Sequence, residues 1–420
     1  MDEEHRRSDS PWHFSTNKRG DFMKKTFTAV AGAIATLGWA SSAHAQSNVT
    51  IYGLLDAAVT AYSTSAGTRL PGGAGAAMAK RSGTQLDSGV GPGSRLGFRG
   101  QEDLGGGLHA KFVLESGIGV DTGGLQQGGL AFGRQAFVGI GSGKAWSLTA
   151  GRQYSPMNAA FALATPTYGF YWGGVQTNSG YPFWPSVGEA PGSGFFQGSA
   201  RVDNSILFSG TMGAFTGELM IGLGNENARQ TGRLINPAIT YASGPLTLRA
   251  SYARHKQGAA GITATAEPEW LSQYIVGGSY KFGWAELFTG VHGAKGPKNA
   301  GNLSAAATLG SPTANLFAYS WQEERSVWFG ARVPLGSGTL LASIGRNKFE
   351  YATGPDGEST ALLLGYEYPL SKRTVLYGNF GSIRNNAHSN SPLSATVSVL
   401  PASGFNSDVK ATSFGIRHAF

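Results

Sequence analysis

The sequence contains no cysteine, and only 14% of its residues are charged. A chain without thiols has no disulfide scaffold, no thiolate nucleophile and no zinc-thiolate site. Apart from one stretch near the amino terminus, no run approaches the roughly 18 apolar residues that a membrane-spanning helix needs. These absences exclude a disulfide-rich secreted domain and a bundle of membrane helices.

The linear motifs of common enzyme classes are also missing. Gly139-Ile-Gly-Ser-Gly-Lys144 has the wrong spacing for a phosphate-binding loop, and Ala145 stands where that motif requires Ser or Thr. The sequence has no Gly-x-Ser-x-Gly nucleophile elbow, and its eight histidines show no metal-binding spacing. We therefore expect no catalytic residue, no cofactor and no metal. A barrel-wall phospholipase that assembles Ser, His and Asn from neighbouring strands, without a linear motif, is the alternative.

Glycine is the residue in excess, with 64 in the chain, which is about twice the usual 7%. The glycines are spread through short segments in which apolar and polar residues alternate. In one segment Leu96 and Phe98 alternate with Arg95 and Arg99. Successive side chains of a strand point to opposite faces, and a charge facing lipid costs about 2–4 kcal/mol near the bilayer centre. The pattern predicts strands with one face toward lipid and the other toward a polar interior.

About sixteen such segments follow one another, separated by connections that are in turn tight and long. The strands that we place first are Asn48–Ala61, Arg95–Glu102, Leu108–Gly117, Phe132–Gly141, Trp146–Arg152 and Arg201–Ser209, and the last is Ser413–Phe420. The long connections are 63–94, 153–200, 257–269, 296–319 and 385–408. We therefore predict an all-β fold: a transmembrane antiparallel β-barrel of about 16 strands in an up-and-down meander, wide enough for an aqueous channel.

The amino-terminal region reads as a leader for export. Met23-Lys24-Lys25 supplies a positive charge, residues 26–40 are mainly apolar, and Ala43 and Ala45 are the small residues that a signal peptidase requires. We expect residues 1–45 to be an upstream extension plus signal peptide, with cleavage before Gln46. Residues 46–420 would then form the barrel, in the outer membrane of a Gram-negative cell.

The chain ends on an aromatic residue. Phe414, Ile416, His418 and Phe420 share one face of the predicted last strand. Terminal residues of soluble proteins usually fray, so aromatic groups there favour a strand that closes a barrel against lipid. An ordinary terminal strand of a soluble sheet is the alternative.

Several segments resemble, in order along the chain, the general porins of Gram-negative bacteria in their β-proteobacterial form. The matching segments are Asn48-Val-Thr-Ile-Tyr-Gly-Leu-Leu-Asp56, Ser94-Arg-Leu-Gly-Phe-Arg-Gly-Gln-Glu-Asp-Leu-Gly-Gly-Gly-Leu108, Gly133-Arg-Gln-Ala-Phe-Val-Gly139, Gly151-Arg-Gln-Tyr154, Ser371-Lys-Arg-Thr-Val-Leu-Tyr-Gly-Asn379 and Gly415-Ile-Arg-His-Ala-Phe420.

The resemblance implies a homotrimer of 16-stranded barrels with the third loop folded inward and with passive transport of ions and small solutes. It implies that Phe420 is similar to the signal read by the outer-membrane assembly machinery. The remaining partners that we expect are outer-membrane lipid and lipopolysaccharide, and we expect no nucleic acid.

The resemblance also implies a basic pore constriction at Arg95, Arg134 and Arg201, and alternation turns Arg99 the same way. Guanidinium groups stay charged at any working pH and attract anions in a narrow passage. Arg152 has the parity of the outer face, and we rank it lower, at the pore mouth or a subunit contact. The alternative is that each arginine is neutralised by a partner: Glu102, Glu115, Asp203 or a loop carbonyl.

The third loop departs from the family pattern of acidic residues facing the arginines. Between Gln153 and Ala200 the only charged residue is Glu189, among eleven aromatic residues. We therefore expect a diffusion porin that prefers anions. The open alternatives are a substrate-specific channel for small aromatic carboxylates, and an outer-membrane enzyme or adhesin anchored by its barrel.

Overall fold

One antiparallel sheet runs through the chain in sequence order. The computed structural model describes residues 48–69, 71–73, 75–167, 171, 200–224, 233–257, 269–295, 321–351, 354–394, 399–400 and 402–420. The strands of the sheet are β1 (Asn48–Thr64), β2 (Ser82–Ser88), β3 (Arg95–Gly105), β4 (Leu108–Gly117), β5 (Gln135–Ser142), β6 (Trp146–Tyr154), β7 (Arg201–Met212), β8 (Phe215–Leu223), β9 (Arg233–Ser243), β10 (Leu246–Gln257), β11 (Glu269–Lys281), β12 (Glu286–Lys295), β13 (Trp321–Leu335), β14 (Gly338–Tyr351), β15 (Gly357–Pro369), β16 (Thr374–Asn385) and β17 (Val409–Ala419).

Two of these strands share one position in the sheet. β2 pairs with the second half of β1, from Ala57↔Ser88 to Ser63↔Ser82, and β3 pairs with its first half, from Asn48↔Gln101 to Leu54↔Arg95. Residues 89–94 leave the ladder between them. The sheet therefore has sixteen positions, which confirms the predicted barrel of about 16 strands.

The interrupted strand corrects one sequence boundary. We placed all of residues 63–94 in a loop and began the second strand at Arg95, but the structure begins it at Ser82. The segment Ser82–Ser88 reads Ser-Gly-Thr-Gln-Leu-Asp-Ser, with Leu86 as its one large apolar residue. Without apolar residues at every second position, its period of two was invisible.

The first and last strands close the sheet. β1 pairs with β17 from Leu54↔Ala419 to Thr64↔Val409. Beyond the end of β17, the backbone N–H of Phe420 donates to the Gly53 carbonyl at 3.1 Å, and the N–H of Gly53 donates to the Phe420 carbonyl at 3.1 Å. A closed sheet has no exposed edge, which is what a β-structure needs in lipid.

Exposure identifies the two faces of the wall. Along β1, Ile51, Leu55 and Val59 are exposed, whereas Asp56 and Thr60, which have the opposite parity, are buried. Phe98 on β3 lies directly opposite Ile51 and so shares its face, because opposed residues of an antiparallel pair point to the same side. The apolar outer face and polar inner face therefore follow the predicted alternation.

A helix that the all-β prediction lacked lies inside the barrel. α1 (Pro156–Leu163) begins at the cap Ser155, whose hydroxyl accepts from the Asn158 N–H at 3.1 Å. Its buried Phe161 packs on Trp328 of β13, with ring centroids 6.1 Å apart. Among the described residues, no helix is long and apolar enough to cross a membrane.

A larger apolar core covers the inner face of the last strands. Leu363 of β15 is completely buried, although Leu362 and Leu364 beside it are exposed on the outer face. The buried residues of this core are Ala58, Val90, Tyr171, Leu341, Ala361, Leu363, Tyr377, Ile383, Leu393, Leu400, Ala402, Val409 and Ala411. Because several of them come from connections, the lumen is partly filled along this side.

Candidate functional site

A row of three residues on neighbouring strands begins the site. Tyr52 on β1 lies opposite Gly97 on β3, and Gly97 lies opposite Glu115 on β4. A Cβ at Gly97 would lie 2.5 Å from Cζ of Tyr52, so the tyrosine ring crosses over the glycine. Its hydroxyl then donates to Oε2 of Glu115 at 2.9 Å. Because Gly97 has no side chain, Tyr52 of β1 can reach a carboxylate on β4, two strands away.

Two of the expected arginines meet at this carboxylate. Nε of Arg134 donates to Oε1 of Glu115 at 2.7 Å, and Nε of Arg95 lies 3.8 Å from Oε2. Arg134 is only 5% exposed, so its guanidinium belongs to the wall of the barrel. Arg134 is therefore paired with Glu115, as the alternative stated in the sequence analysis expected for these arginines.

A second tyrosine joins the third expected arginine to the group. The Tyr154 hydroxyl accepts from Arg134 at 2.7 Å and from Arg201 at 2.7 Å. The Arg201 guanidinium also lies 4.6 Å from the centroid of the Tyr154 ring, within cation–π range. The sequence alone indicates no role for Tyr52 or Tyr154, because their partnerships depend on the register between strands.

Arg99 completes the group. It is exposed, and its guanidinium lies 5.0 Å from the centroid of the Tyr52 ring. Within the part of the chain that the structure describes, neither Arg99 nor Arg201 has a carboxylate partner. We call the following residues the basic cluster: Tyr52, Arg95, Arg99, Glu115, Arg134, Tyr154 and Arg201. It sets four guanidinium groups against one carboxylate.

The lower-ranked arginine has a different environment. Arg152 forms an ion pair with Asp203, and its Nε donates to the Gly133 carbonyl at 2.8 Å. Asp203 is therefore taken by Arg152 rather than by Arg201. Glu189, the expected opposing charge, and most aromatic residues of the third loop lie outside the described residues.

A second polar cluster lies on the inner face of the strands at the other end of the sheet. Glu367 accepts from the hydroxyl of Tyr171 at 2.6 Å and from Arg417 at 3.1 Å, and it lies 3.5 Å from Arg332. Tyr377 donates to Asp56 at 2.8 Å. We call this set the loop anchor: Asp56, Tyr171, Arg332, Glu367, Tyr377 and Arg417. Two arginines face two carboxylates there, so its charges cancel.

The expected assembly residue lies at the barrel seam. The aromatic ring of Phe420 covers Gly53, where an added Cβ would lie 2.2 Å from Cζ of the ring. Phe420 remains 46% exposed. The carboxy-terminal ring thus fills a notch left by a glycine on the outer face of β1.

Comparison with known sequences gives one family and two curated relatives. A family model described as Gram-negative porin matches residues 28–388. An outer membrane porin of Bordetella pertussis is 29% identical over 95% of this chain and 100% of the relative. Outer membrane porin protein 32 of Delftia acidovorans is 28% identical, with 95% of this chain and 100% of the relative covered.

Comparison with solved structures also gives outer-membrane proteins, including a porin. An anion-selective porin from Comamonas acidovorans has a TM-score of 0.68 at 25% identity, covering 89% of this chain and 100% of that one. The OmpT outer membrane protein of Vibrio cholerae, in a trimer form, has a TM-score of 0.61 at 14% identity, covering 89% of this chain and 99% of that one. At that identity the second likeness concerns the fold alone.

Proposed function

The chain belongs to the Gram-negative porin family, and from that premise we propose that its channel prefers anions to cations. The protein is an outer-membrane porin, a multi-pass β-barrel that acts as a channel rather than an enzyme. The observation that carries the preference is the charge of the basic cluster, which contains four guanidinium groups and the single carboxylate of Glu115.

The positions of these groups support the proposal. Arg95 and Arg99 share the inner face of β3, and Arg201 begins β7. Fixed charges of one sign in a passage with low-dielectric walls raise the local concentration of counter-ions. Arginine keeps its charge at any pH at which the barrel folds, so the preference is independent of pH in the ordinary range.

The solved Comamonas porin is described as anion-selective, which favours the same property here. Two arginines without carboxylate partners among the described residues, Arg99 and Arg201, are the groups that we expect anions to meet. Arg95 and Arg134 have Glu115 beside them and hold the arrangement together. Glu189 would add at most one opposing charge.

A planar-bilayer measurement tests the selectivity. With KCl at about 0.1 M on one side and higher on the other, the reversal potential should show that chloride is more permeant than potassium. The Debye length is ~10 Å at 0.1 M and ~3 Å at 1 M, so the preference should fade as salt rises. A wild-type reversal potential that indicates cation preference would contradict the proposal.

For the assembled protein we propose a homotrimer in contact with outer-membrane lipid and lipopolysaccharide. The trimer form of the OmpT structure supports this only through a shared fold. Gel electrophoresis of unheated and heated samples should show a trimer that dissociates on heating. A monomer in mild detergent under all conditions would contradict it.

We propose that the mature chain begins at Gln46, after removal of residues 1–45. The leader-like sequence is the support for this, and these residues lie outside the described ones. Intact-mass measurement of protein purified from outer membranes should give the mass of residues 46–420. A larger mass that retains the apolar stretch would overturn it.

We propose that Phe420 serves assembly and not permeation, as the residue read by the assembly machinery and as the ring that closes the seam over Gly53. Phe420→Ala should lower the folded amount in the outer membrane and raise degradation products in the periplasm. The matched control is Phe414→Ala, which removes another exposed outer-face phenylalanine of β17. Equal assembly of both variants would contradict a special role for Phe420.

A further inference from the structure

A lysine outside the basic cluster lies on the inner face of β4. Lys111 and the buried Glu115 are four positions apart on this strand, so their side chains point to the same side of the wall. Lys111 lies opposite Gln101 on β3 and opposite Gly139 on β5. It is half-buried, and no carboxylate among the described residues pairs with it. Lys111 therefore places an uncompensated positive charge on the lumen side of the wall.

The register between β3 and β4 places this lysine beside an arginine of the basic cluster. Arg99 lies opposite Val113, and Lys111 lies opposite Gln101, so Arg99 and Lys111 are diagonal neighbours on the inner face. Diagonal neighbours on one face of a sheet are about 7–8 Å apart. Arg99 is exposed, with its guanidinium 5.0 Å from the centroid of the Tyr52 ring. One ion that passes along this wall can therefore interact with both positive groups.

Lys111 extends the basic wall toward one opening of the barrel. Arg95 begins β3, Arg99 is four positions further along, and Lys111 lies beside the residue two positions beyond that. At about 3.3 Å per residue, these three cations extend over roughly 20 Å of the wall. Only residues 106–107 connect β3 to β4, and the short turns of outer-membrane barrels face the periplasm. Lys111 therefore lies between the basic cluster and the periplasmic opening.

The nearest acidic group on this part of the inner face has another partner. Asp103 lies opposite His109 and is thus diagonal to Lys111. Its Oδ1 accepts a hydrogen bond from the Gly105 N–H at 2.9 Å, so the carboxylate is directed to its own turn. On the other side, Lys111 faces Gly139 of β5, which has no side chain. Neither neighbouring strand therefore supplies an ion pair that would cancel the charge of Lys111.

We propose that Lys111 is a specificity-determining residue that attracts anions at a second site, between Arg99 and the periplasmic opening. The inference rests on the proposed anion preference and adds a residue to it. A fixed charge in a passage with low-dielectric walls raises the local concentration of counter-ions around itself. Lys111 should therefore act most strongly on anions that enter from the periplasmic side, whereas Arg201 acts on the far side of the basic cluster.

The first test removes the charge of this lysine. In about 0.1 M KCl, Lys111→Gln should lower the chloride-to-potassium permeability ratio by up to roughly fourfold, the effect of one unit charge about 5 Å from the ion in water. The current carried by chloride from the periplasmic side should fall more than the current in the other direction. Lys111→Arg keeps the charge and should behave as the wild type. The matched control is Lys410→Gln, which removes an exposed lysine on the outer face of β17 and should leave the reversal potential unchanged.

The second test uses the lack of cysteine in the chain. Lys111→Cys introduces a single thiol, which a methanethiosulfonate reagent can convert to an adduct with either a trimethylammonium or a sulfonate group. The positive adduct should restore the chloride preference of the wild type. The negative adduct should lower that preference below the value for the unmodified thiol. The same two adducts on Lys410→Cys should give equal reversal potentials, because that position lies outside the ion path.

Two results would overturn the inference: equal reversal potentials for the two adducts of Lys111→Cys, or a wild-type permeability ratio in Lys111→Gln. A heat-modification gel reports whether each variant assembles, and if Lys111→Cys does not, the comparison of Lys111→Gln with Lys111→Arg decides. The adducts also separate this inference from the proposed function. A wild type that prefers cations, with unequal adducts, would contradict the anion preference and leave Lys111 in the ion path. A wild type that prefers anions, with equal adducts, would contradict the role of Lys111 alone.

Discussion

Two arcs of the inner wall use the same chemical groups for different ends. On the arc from β3 to β7, the basic cluster sets four arginines against Glu115, and two of them have aromatic partners in place of carboxylates. On the arc that includes β13 to β17, the loop anchor matches Arg332 and Arg417 with Glu367 and Asp56. The ratio of acid to base, and not the number of arginines, therefore gives the first arc a net positive charge and leaves the second neutral.

β1 belongs to both arcs. Tyr52 reaches the basic cluster and Asp56 reaches the loop anchor from the same inner face of this strand. Tyr52 and Asp56 are four positions apart on this strand, a distance of about 13 Å. The two clusters are close enough to be joined by one rigid element and far enough apart to be changed independently.

The largest effect on this comparison should come from removing the uncompensated charges. We expect Arg99→Gln with Arg201→Gln to lower the chloride-to-potassium permeability ratio severalfold. The interaction between a passing ion and one arginine charge about 5 Å away in water is worth about 0.8 kcal/mol, which changes that ratio roughly fourfold. The reversal potential in a KCl gradient measures it.

The matched control for this pair is Arg325→Gln. Arg325 is exposed on the outer face and already pairs with Glu323, so its loss should leave the reversal potential unchanged. If the double variant in the basic cluster kept the wild-type reversal potential, the difference in charge between the two arcs would have no part in selectivity.

A smaller change of opposite sign should follow from Glu115→Gln. The single carboxylate of the basic cluster is lost, so chloride preference should rise. Stability should fall by about 3 kcal/mol, because breaking a buried ion pair leaves an uncompensated buried charge on Arg134, whose side chain is 6% exposed. Reversal potential and the temperature of heat modification measure the two effects. If chloride preference and stability both rose, or both fell, the dual role of Glu115 would be contradicted.

The smallest effect should come from Tyr52→Phe. It removes the hydroxyl bond to Glu115 and changes no charge, so the reversal potential should hold while stability falls by about 1.5 kcal/mol, as for a hydrogen bond to a charged group. A reversal potential that shifts in Tyr52→Phe would contradict the assignment of selectivity to the charges of the basic cluster.

The sequence predicted the parts of the fold that repeat. The bounds Leu108–Gly117 agree with β4, and the outward Phe98 follows from alternation alone. Those predictions succeed because a strand beside lipid must keep its period of two. The strand Ser82–Ser88 was not predicted because its side chains are mostly polar. The helix α1 was not predicted because one short helix within a loop carries little periodic signal.

The site was harder to predict than the fold. The four arginines were named from motif resemblance and alternation, and the structure brings Arg95, Arg134 and Arg201 into one network. The tyrosines that join them were missed, because their contacts follow from register between strands. Tyr171 and Glu367 are 196 residues apart in the chain, and no local pattern connects them.

The pairing of β1 with β17 restricts the order in which the molecule can form. Thr60 and Ser413 hydroxyl oxygens lie 2.7 Å apart although 353 residues separate them. Bringing two such distant points of a flexible chain together costs about 5 kcal/mol of loop-closure entropy. The ring therefore cannot be completed until synthesis and export have delivered the final strand. Until then β1 and the most recently added strand are open edges, which are templates for aggregation. A chaperone that shields those edges in the periplasm would protect the chain for as long as β17 is missing.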